Sequence, residues 1–554
     1  MLNSLFEIPE LQQAIVERLD SPEDAGRLAS VCRSLFDSCI PFAWRRVSSA
    51  IQLLKLLPGA TTSENKNPWS RYYSVLELPE SLTEEDFARF RFYASFVKAL
   101  DMSESTASLR LLNWEWLFSY TQSQPLLPNL EILTVTRWGS SSQYDSTPIW
   151  FTLFLSPSLL TFQSGDLVSY GETYISLSGA HFILSAIADM CPRIKTLVFL
   201  PYIDVTENKI LGNPNRYISY QDLGPFFSRM KHLTKVRTCI ATLESIPLSL
   251  DGFLAIKRLD VTMQPSGVGL NRIPDALFSS LEHFGAFNYR SNLILILPSF
   301  VTSLTSLQLH MGYYQNDIQE VLLRVAEYNP CLLDLSMHPI RYQFSHGRSR
   351  WPLLEATTLE PLGRLTRLER FCLSNVILVL PGQDAAEALS YVGALPPGLK
   401  RLEAPHHVIP LSKLSKVVSR LPRLEYLSAT ITELGIAIGH LGVGQANNSA
   451  LQVIEPEFER SIFRAIRTAK LNEAEVDKDI ARYLSAMCMN VQIVDRPGRY
   501  SNCSPEESAA ADKIITSINQ LLSALALPPG LTLSRKNTAR VNSQVPWQSL
   551  PTDV

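Results

Sequence analysis

The chain has 554 residues, with 50 Lys and Arg residues against 53 Asp and Glu residues, and its formal net charge is −3. This length allows several domains or one long repeat array. The balanced charge gives no support for a nucleic-acid partner, and the strand-length apolar runs predict no membrane-spanning helix.

The first helical segment is predicted from apolar residues that recur at helical spacing, which are Ile8, Leu11, Ile15 and Leu19. The next helix is expected to start at Ser21, a good N-cap, with Pro22 in the first helical position. Glu23 and Asp24 then occupy the first turn, where the helix dipole favours anions.

The second helix carries its own apolar face, and Pro41 is predicted to end a third short helix by removing a backbone donor. Three short helices bury only part of their apolar surface among themselves. Some of that surface should therefore face a partner or the rest of the chain. An ordinary helical cap on a larger domain is the alternative interpretation of residues 1–57.

Four short sequence motifs follow one another along this segment: Ile8-Pro9-Glu10-Leu11, a helix break at 19–24, Val31-Cys32-Arg33 and Trp44-Arg45-Arg46-Val47. Together they resemble the F-box of fungal proteins. The resemblance implies that residues 1–57 dock onto the Skp-type adaptor of a cullin–RING ubiquitin ligase. It assigns adaptor binding to Ile8, Pro9, Leu11, Ile15, Leu19, Leu28, Val31, Cys32, Leu35 and Trp44.

A repeated pattern, apolar-x-x-apolar-x-apolar, follows a polar, loop-like linker at 58–75. Successive copies of the pattern begin 23 to 39 residues apart. The shorter spacings match the period of a leucine-rich repeat, about 20–29 residues. The thirteen first apolar residues, here called anchors, are Val97, Leu130, Leu159, Ile194, Leu233, Ile256, Leu281, Leu304, Leu332, Leu368, Leu399, Leu424 and Leu451.

Helical patterns lie between several anchors, as at 180–190, 318–325, 384–394 and 414–421. The predicted fold class is therefore α/β: a three-helix F-box followed by an irregular leucine-rich-repeat solenoid, or horseshoe, over 76–456. A non-repetitive α/β protein remains the alternative. Strand alternation should turn the residue before each second apolar position outward, and four such residues are candidate target-binding positions: Thr196, Arg258, Arg370 and Tyr426.

The C-terminal region is expected to close the repeat core. Ser504-Pro505 is a cap signal for a helix that extends to about Ala526, within a helical cap over 457–527. Residues 528–554 are polar and rich in proline, and they are predicted to be a disordered tail.

No motif for catalysis, a cofactor or a metal is present. His406-His407 is the only histidine pair, and adjacent side chains point apart on a strand or a helix. The eight cysteines form no Cys-x-x-Cys pair, and no basic N-terminal region precedes an apolar run. These features predict a non-enzymatic protein without cofactor or metal, in the cytoplasm, the nucleus or both.

The predicted function is substrate recognition for an SCF-type ubiquitin ligase, with an unknown protein as target and no membrane partner. The alternative is a solenoid scaffold for protein interactions without a ligase link. A third possibility, an enzyme with an unrecognised site, has no motif to support it.

Overall fold

The computed structural model divides the chain into two compact units, Met1–Ser280 and Leu281–Asp553. Most of both repeat regions is described, together with the N-terminal helices. The described residues are 8–19, 21–65, 73–102, 109–135, 152–164, 177–200, 223–239, 242–243, 255–262, 280–289, 304–312, 315–340, 353–374, 376–379, 390–432, 450–457, 477–478, 480–481, 484, 492–493, 513 and 515–523.

The first unit begins with four short helices: α1 (Pro9–Val16), α2 (Pro22–Ala29), α3 (Arg33–Ala43) and α4 (Ala50–Leu54). The predicted cap of α2 is confirmed, because Ser21 Oγ accepts a hydrogen bond from the Asp24 backbone N–H at 3.1 Å. The prediction for Pro41 was wrong. Pro41 lies inside α3, and the helix continues because the Trp44 N–H reaches the Ile40 carbonyl at 3.0 Å.

The described part of the first unit also contains seven parallel strands: β1 (Arg46–Val47), β4 (Ala99–Asp101), β6 (Ile132–Val135), β7 (Thr161–Ser164), β8 (Thr196–Phe199), β9 (Lys235–Cys239) and β10 (Arg258–Thr262). They pair in the order β1-β4-β6-β7-β8-β9-β10. Further helices of this unit include α5 (Phe87–Ala94), α6 (Glu115–Ser123), α7 (Leu177–Met190) and α8 (Gly224–Arg229).

The predicted linker at 58–75 is not wholly a loop. It contains β2 (Thr61–Asn65) and the start of β3 (Tyr73–Glu77), which pair antiparallel. β3 also pairs in parallel with β5 (Leu109–Leu112). Backbone pairing with β3 gives the polar residues 61–65 a sheet partner that their composition does not reveal. The domain boundary itself remains a prediction.

The described part of the second unit contains eight parallel strands: β11 (His283–Tyr289), β12 (Ser306–Gly312), β13 (Asp334–Ile340), β15 (Arg370–Leu373), β17 (Arg401–Pro410), β18 (Tyr426–Thr432), β19 (Val453–Glu457) and β20 (Gln492–Ile493). They pair in the order β11-β12-β13-β15-β17-β18-β19-β20. A separate parallel pair joins β14 (Leu353–Glu355) to β16 (Ile377–Val379). The helices of this unit include α9 (Gln315–Tyr328), α10 (Ser390–Ala394) and α11 (Leu414–Arg420), with 3₁₀ segments at Ala356–Arg364 and Leu411–Lys413.

All thirteen predicted anchors are buried, and a parallel strand begins two residues after each one. The second apolar residue of each repeat is also buried. Within each unit it lies in register with that of the next repeat strand, as Leu307 does with Leu335 and Leu335 with Phe371. Each repeat thus closes its core only against its neighbours. The prediction of a parallel leucine-anchored repeat is confirmed within each unit.

The strands of the second unit differ in length. Several have seven residues, and β17 has ten with a shift of register between Ala404 and Val408. α9 begins at Gln315 and includes the predicted helical pattern at 318–325.

The C-terminal region is described only in part. Residues 515–523 are helical, with Ile515, Ile518 and Leu522 buried. Most of the segment 457–527 and the whole predicted tail, 528–554, lie outside the described residues, so both assignments stay predictions.

Candidate protein-interaction surfaces

The N-terminal helices leave a set of large apolar side chains in solvent. Ile8, Leu11 and Ile15 are 42%, 41% and 38% exposed, and Val31 is 69% exposed. The first three share one face of α1 by their spacing. These four residues are called the exposed apolar set below. Cys32, beside Val31, is exposed as well.

α1 is buried on a different face, through Gln12 and Val16. The Gln12 amide donates to Ser34 Oγ at 2.5 Å and accepts a hydrogen bond from the Ser38 hydroxyl, both on α3. A buried amide with hydrogen-bond partners carries little desolvation cost. Hydrogen bonding therefore decides which face of α1 is buried, and the more apolar face is left in solvent.

Not every predicted adaptor-binding residue is accessible. Leu35 is only 2% exposed and belongs to the core of the helical cluster. Leu19, Leu28 and Trp44 are half-buried and pack against that core. Pro9 lies in the first turn of α1, and its side chain is outside the described residues. The accessible part of the prediction is thus the exposed apolar set and Cys32.

In the first unit, the two predicted target residues flank one strand. Thr196 and Arg258 are both half-buried, and each is a register partner of Lys235 on β9. Two residues further along, Arg237 on β9 faces Asp260 on β10. Lys235 was not among the predicted target positions, although it lies two residues after its anchor, as Thr196 does.

In the second unit, Arg370 is exposed and forms an ion pair with Asp334 on the neighbouring strand at 3.4 Å. Tyr426 was expected to point outward, but it is only 9% exposed. The Arg401 guanidinium lies 4.1 Å from the centroid of its ring and covers it. Arg401 also pairs with Glu403 at 2.5 Å, and both side chains are half-buried. Arg370 is thus the accessible member of the two predicted residues in this unit.

A row of stacked rings crosses the same sheet. The His310 ring centroid lies 4.5 Å from those of both Phe287 and His338. His338 Nδ1 is hydrogen-bonded to Ser374 Oγ at 2.5 Å. Burial lowers the pKa of His338 to about 4, although the nearby Glu403 carboxylate raises it. His338 is therefore neutral at physiological pH.

Of the histidine pair, only the His407 side chain lies within the described residues. The His407 ring is buried, and this burial lowers its pKa to about 4. Within the described ranges, no three His, Cys, Asp or Glu side chains converge as metal ligands would. No helix in the described part of the chain is long and apolar enough to cross a membrane.

The sequence matches no protein-family model and no curated protein. Among solved structures, it is similar to the leucine-rich repeat-containing protein LegL7 from Legionella pneumophila, with 12% identity and a TM-score of 0.30. The similarity covers 72% of this chain and 100% of that one. A similarity this distant carries no argument, and the repeat assignment rests on the buried anchors and the parallel register.

Proposed function

We propose that this chain is the substrate-recognition subunit of an SCF-type cullin–RING ubiquitin ligase. Its N-terminal helices bind the Skp-type adaptor and, through it, the cullin. The repeats bind a protein target. The transfer chemistry belongs to the other subunits, and this chain contributes by holding the target near the ubiquitin carrier, which raises their effective concentration.

The observation that carries this proposal is the exposed apolar set. Fully burying one Leu, Ile or Val side chain stabilises by roughly 1.5–3 kcal/mol. Ile8, Leu11 and Ile15 do not gain this stabilisation in full, because each side chain is more than one-third exposed. Gln12 occupies the buried face of the helix beside them. A clustered apolar face on a short helix is typical of a site that a protein partner covers.

The test compares two double variants on the same helix. In the first, Leu11→Ala and Ile15→Ala truncate two members of the exposed apolar set. In the control, Gln13→Ala and Glu17→Ala truncate an exposed pair with the same spacing. We expect the first to lose adaptor in a pull-down from cell extract and the control to retain it. Equal retention by both would show that this face does not bind the adaptor.

A second candidate is a repeat scaffold without a ligase link, in which the N-terminal helices only cap the repeats. One observation favours it: β1 directly follows α3 and pairs with β4, so the helices continue into the sheet. Co-purification separates the two functions. A scaffold without a ligase link should co-purify with neither adaptor nor cullin, whereas a substrate-recognition subunit should co-purify with both.

A further inference from the structure

An aromatic side chain lies on the solvent side of α5. Phe87, Phe90 and Ala94 form the buried face of this helix. Phe92 lies two positions after Phe90, which places it on nearly the opposite side of the helix, and its side chain is 45% exposed. A solvent-facing helix position usually holds a polar residue, so the core of the first unit does not explain this phenylalanine.

Phe92 is the most exposed member of a cluster of rings. Its ring stacks on Phe36 of α3, with the centroids 6.4 Å apart and an angle of 7° between the planes. It also makes T-shaped contacts with Tyr93 and Phe96, at centroid distances of 5.1 and 5.2 Å. All three neighbours are half-buried. Single exposed apolar residues are common on protein surfaces, whereas several partly exposed rings in contact are typical of a protein-interaction site.

The ring cluster continues the accessible surface at the start of α3. Val31 has the largest exposed fraction in the exposed apolar set, and the next residue, Cys32, is exposed as well. The Phe36 N–H donates to the Cys32 carbonyl at 2.9 Å, so these two residues are one helical turn apart on the same face of α3. The stacked rings then join Phe36 to Phe92 on α5. Residues before and after the linker thus contribute to one surface.

An arginine accompanies each ring of the stacked pair. Arg33 lies three positions before Phe36, Arg89 lies three positions before Phe92, and both arginines are exposed. Residues three apart on a helix are neighbours, so each ring has a guanidinium side chain beside it on its own helix. Aromatic residues and arginine are enriched in protein–protein interfaces relative to the rest of the surface. The residue types at this surface therefore match those of an interface with a protein.

We propose that Phe36 and Phe92 contact the Skp-type adaptor, so that the adaptor-binding surface extends from Val31 and Cys32 onto α5. This inference rests on the proposed function, because it takes the adaptor as the partner that covers the rings. It deepens that function by adding a contact from a helix beyond residues 1–57. An adaptor that contacts both α3 and α5 also restrains the joint between the N-terminal helices and the repeats.

The test compares two exposed phenylalanines in the full chain by titration with labelled, purified Skp-type adaptor. Phe92→Ala should weaken adaptor binding by roughly fivefold or more, because truncation of an aromatic contact in an interface core typically has an effect of this size. Phe182 on α7 is the matched control, since its side chain is 46% exposed. Phe182→Ala should keep the affinity of the parent chain within about twofold. Equal affinities of the two variants would overturn the proposal.

Hydrogen exchange of the α3 amides separates a lost contact from a lost fold. Phe92→Ala should leave this exchange nearly unchanged, because the ring lies on the solvent side of α5 and not in the helical core. Phe92→Leu keeps an apolar side chain and should lose less affinity than Phe92→Ala. If Phe92→Ala speeds α3 exchange by as large a factor as it weakens adaptor binding, the ring has only a structural role and the proposal is wrong.

The double variant Leu11→Ala with Ile15→Ala tests the proposed function separately. Adaptor loss in that variant but not in Phe92→Ala would remove this inference and leave the proposed function intact. Adaptor loss in Phe92→Ala but not in the double variant would support the ring contact and remove the α1 face from the adaptor site. A parent chain that does not bind the purified adaptor would overturn both.

Discussion

The ring centroids of Trp44 and Tyr93 lie 4.6 Å apart, with an angle of 38° between the ring planes. Trp44 is the C-cap of α3 and Tyr93 belongs to α5, so this contact joins the N-terminal helices to the helix before the first anchor. The Phe36 and Phe92 rings, on the same two helices, are stacked with their centroids 6.4 Å apart. β1 follows Trp44 and pairs with β4. The N-terminal helices are therefore held to the sheet by ring contacts and by backbone pairing together.

Replacing Trp44 by Ala should loosen the N-terminal helices. Aromatic pairs contribute about 0.5–1.5 kcal/mol beyond the area they bury, and Trp44 also covers the helical core. We expect a loss of about 2 kcal/mol in the opening free energy of α2 and α3, measured by native-state hydrogen exchange. Trp44→Phe is the control and should lose less. Unchanged hydrogen exchange in Trp44→Ala would show that the ring contact does not contribute to the stability of α2 and α3.

Replacing Gly26 by Ala should stabilise the same cluster. Gly26 lies in the middle of α2, and a Cβ built there meets nothing within 4 Å. Ala is favoured over Gly inside a helix by roughly 0.5–1 kcal/mol. Hydrogen exchange of the α2 amides should therefore slow by a few-fold. Faster exchange would mean that a neighbour outside the described residues occupies this space.

The repeat could be predicted from sequence because its signal is local. Each anchor and the apolar residue three positions later are both buried in the core. This three-residue spacing is the same in every repeat, although the segments between successive repeats differ in length. The strand formed by Arg46 and Val47 was missed, because the same residues had been assigned to the end of the F-box. The pairing of β2 with β3 was missed since a polar stretch carries no apolar alternation.

The interaction surfaces were harder to predict. Gln12 is buried through hydrogen bonds to two serines more than twenty residues away, and no helical pattern reveals such partners. Lys235 and Arg258 become neighbours only through strand register, although 22 residues separate them in the chain. Tyr426 is covered by Arg401 from the adjacent strand. In each case, a contact between distant residues decides what is exposed.

The repeat anchoring predicts a sharp contrast between two adjacent residues. Leu335 is fully buried between Leu307 and Phe371 of the flanking strands, and Ser336 beside it is only half-buried. Leu335→Ala should destabilise the second unit by about 2–5 kcal/mol through lost burial and a cavity. Ser336→Ala should change stability by less than about 0.5 kcal/mol. Urea unfolding midpoints compare the two, and similar midpoints would contradict the role of Leu335 as a repeat core residue.

The half-buried imidazole of His338 should make the second unit less stable in mild acid. Its pKa is about 4 in the folded chain, against 6.5 for an ordinary histidine. Between these values the unfolded chain binds a proton that the folded chain does not, so the free energy of unfolding falls as pH drops from about 6.5 towards 4. Above pH 6.5 both states are neutral at this residue, and its contribution no longer depends on pH.

His338→Asn removes the titrating ring and keeps a side-chain amide near the Ser374 hydroxyl. We expect the urea midpoint of this variant to fall less between about pH 7 and about pH 5 than that of the parent chain. If His338→Asn and the parent chain lose the same stability over this range, protonation of the His338 ring does not drive the acid sensitivity.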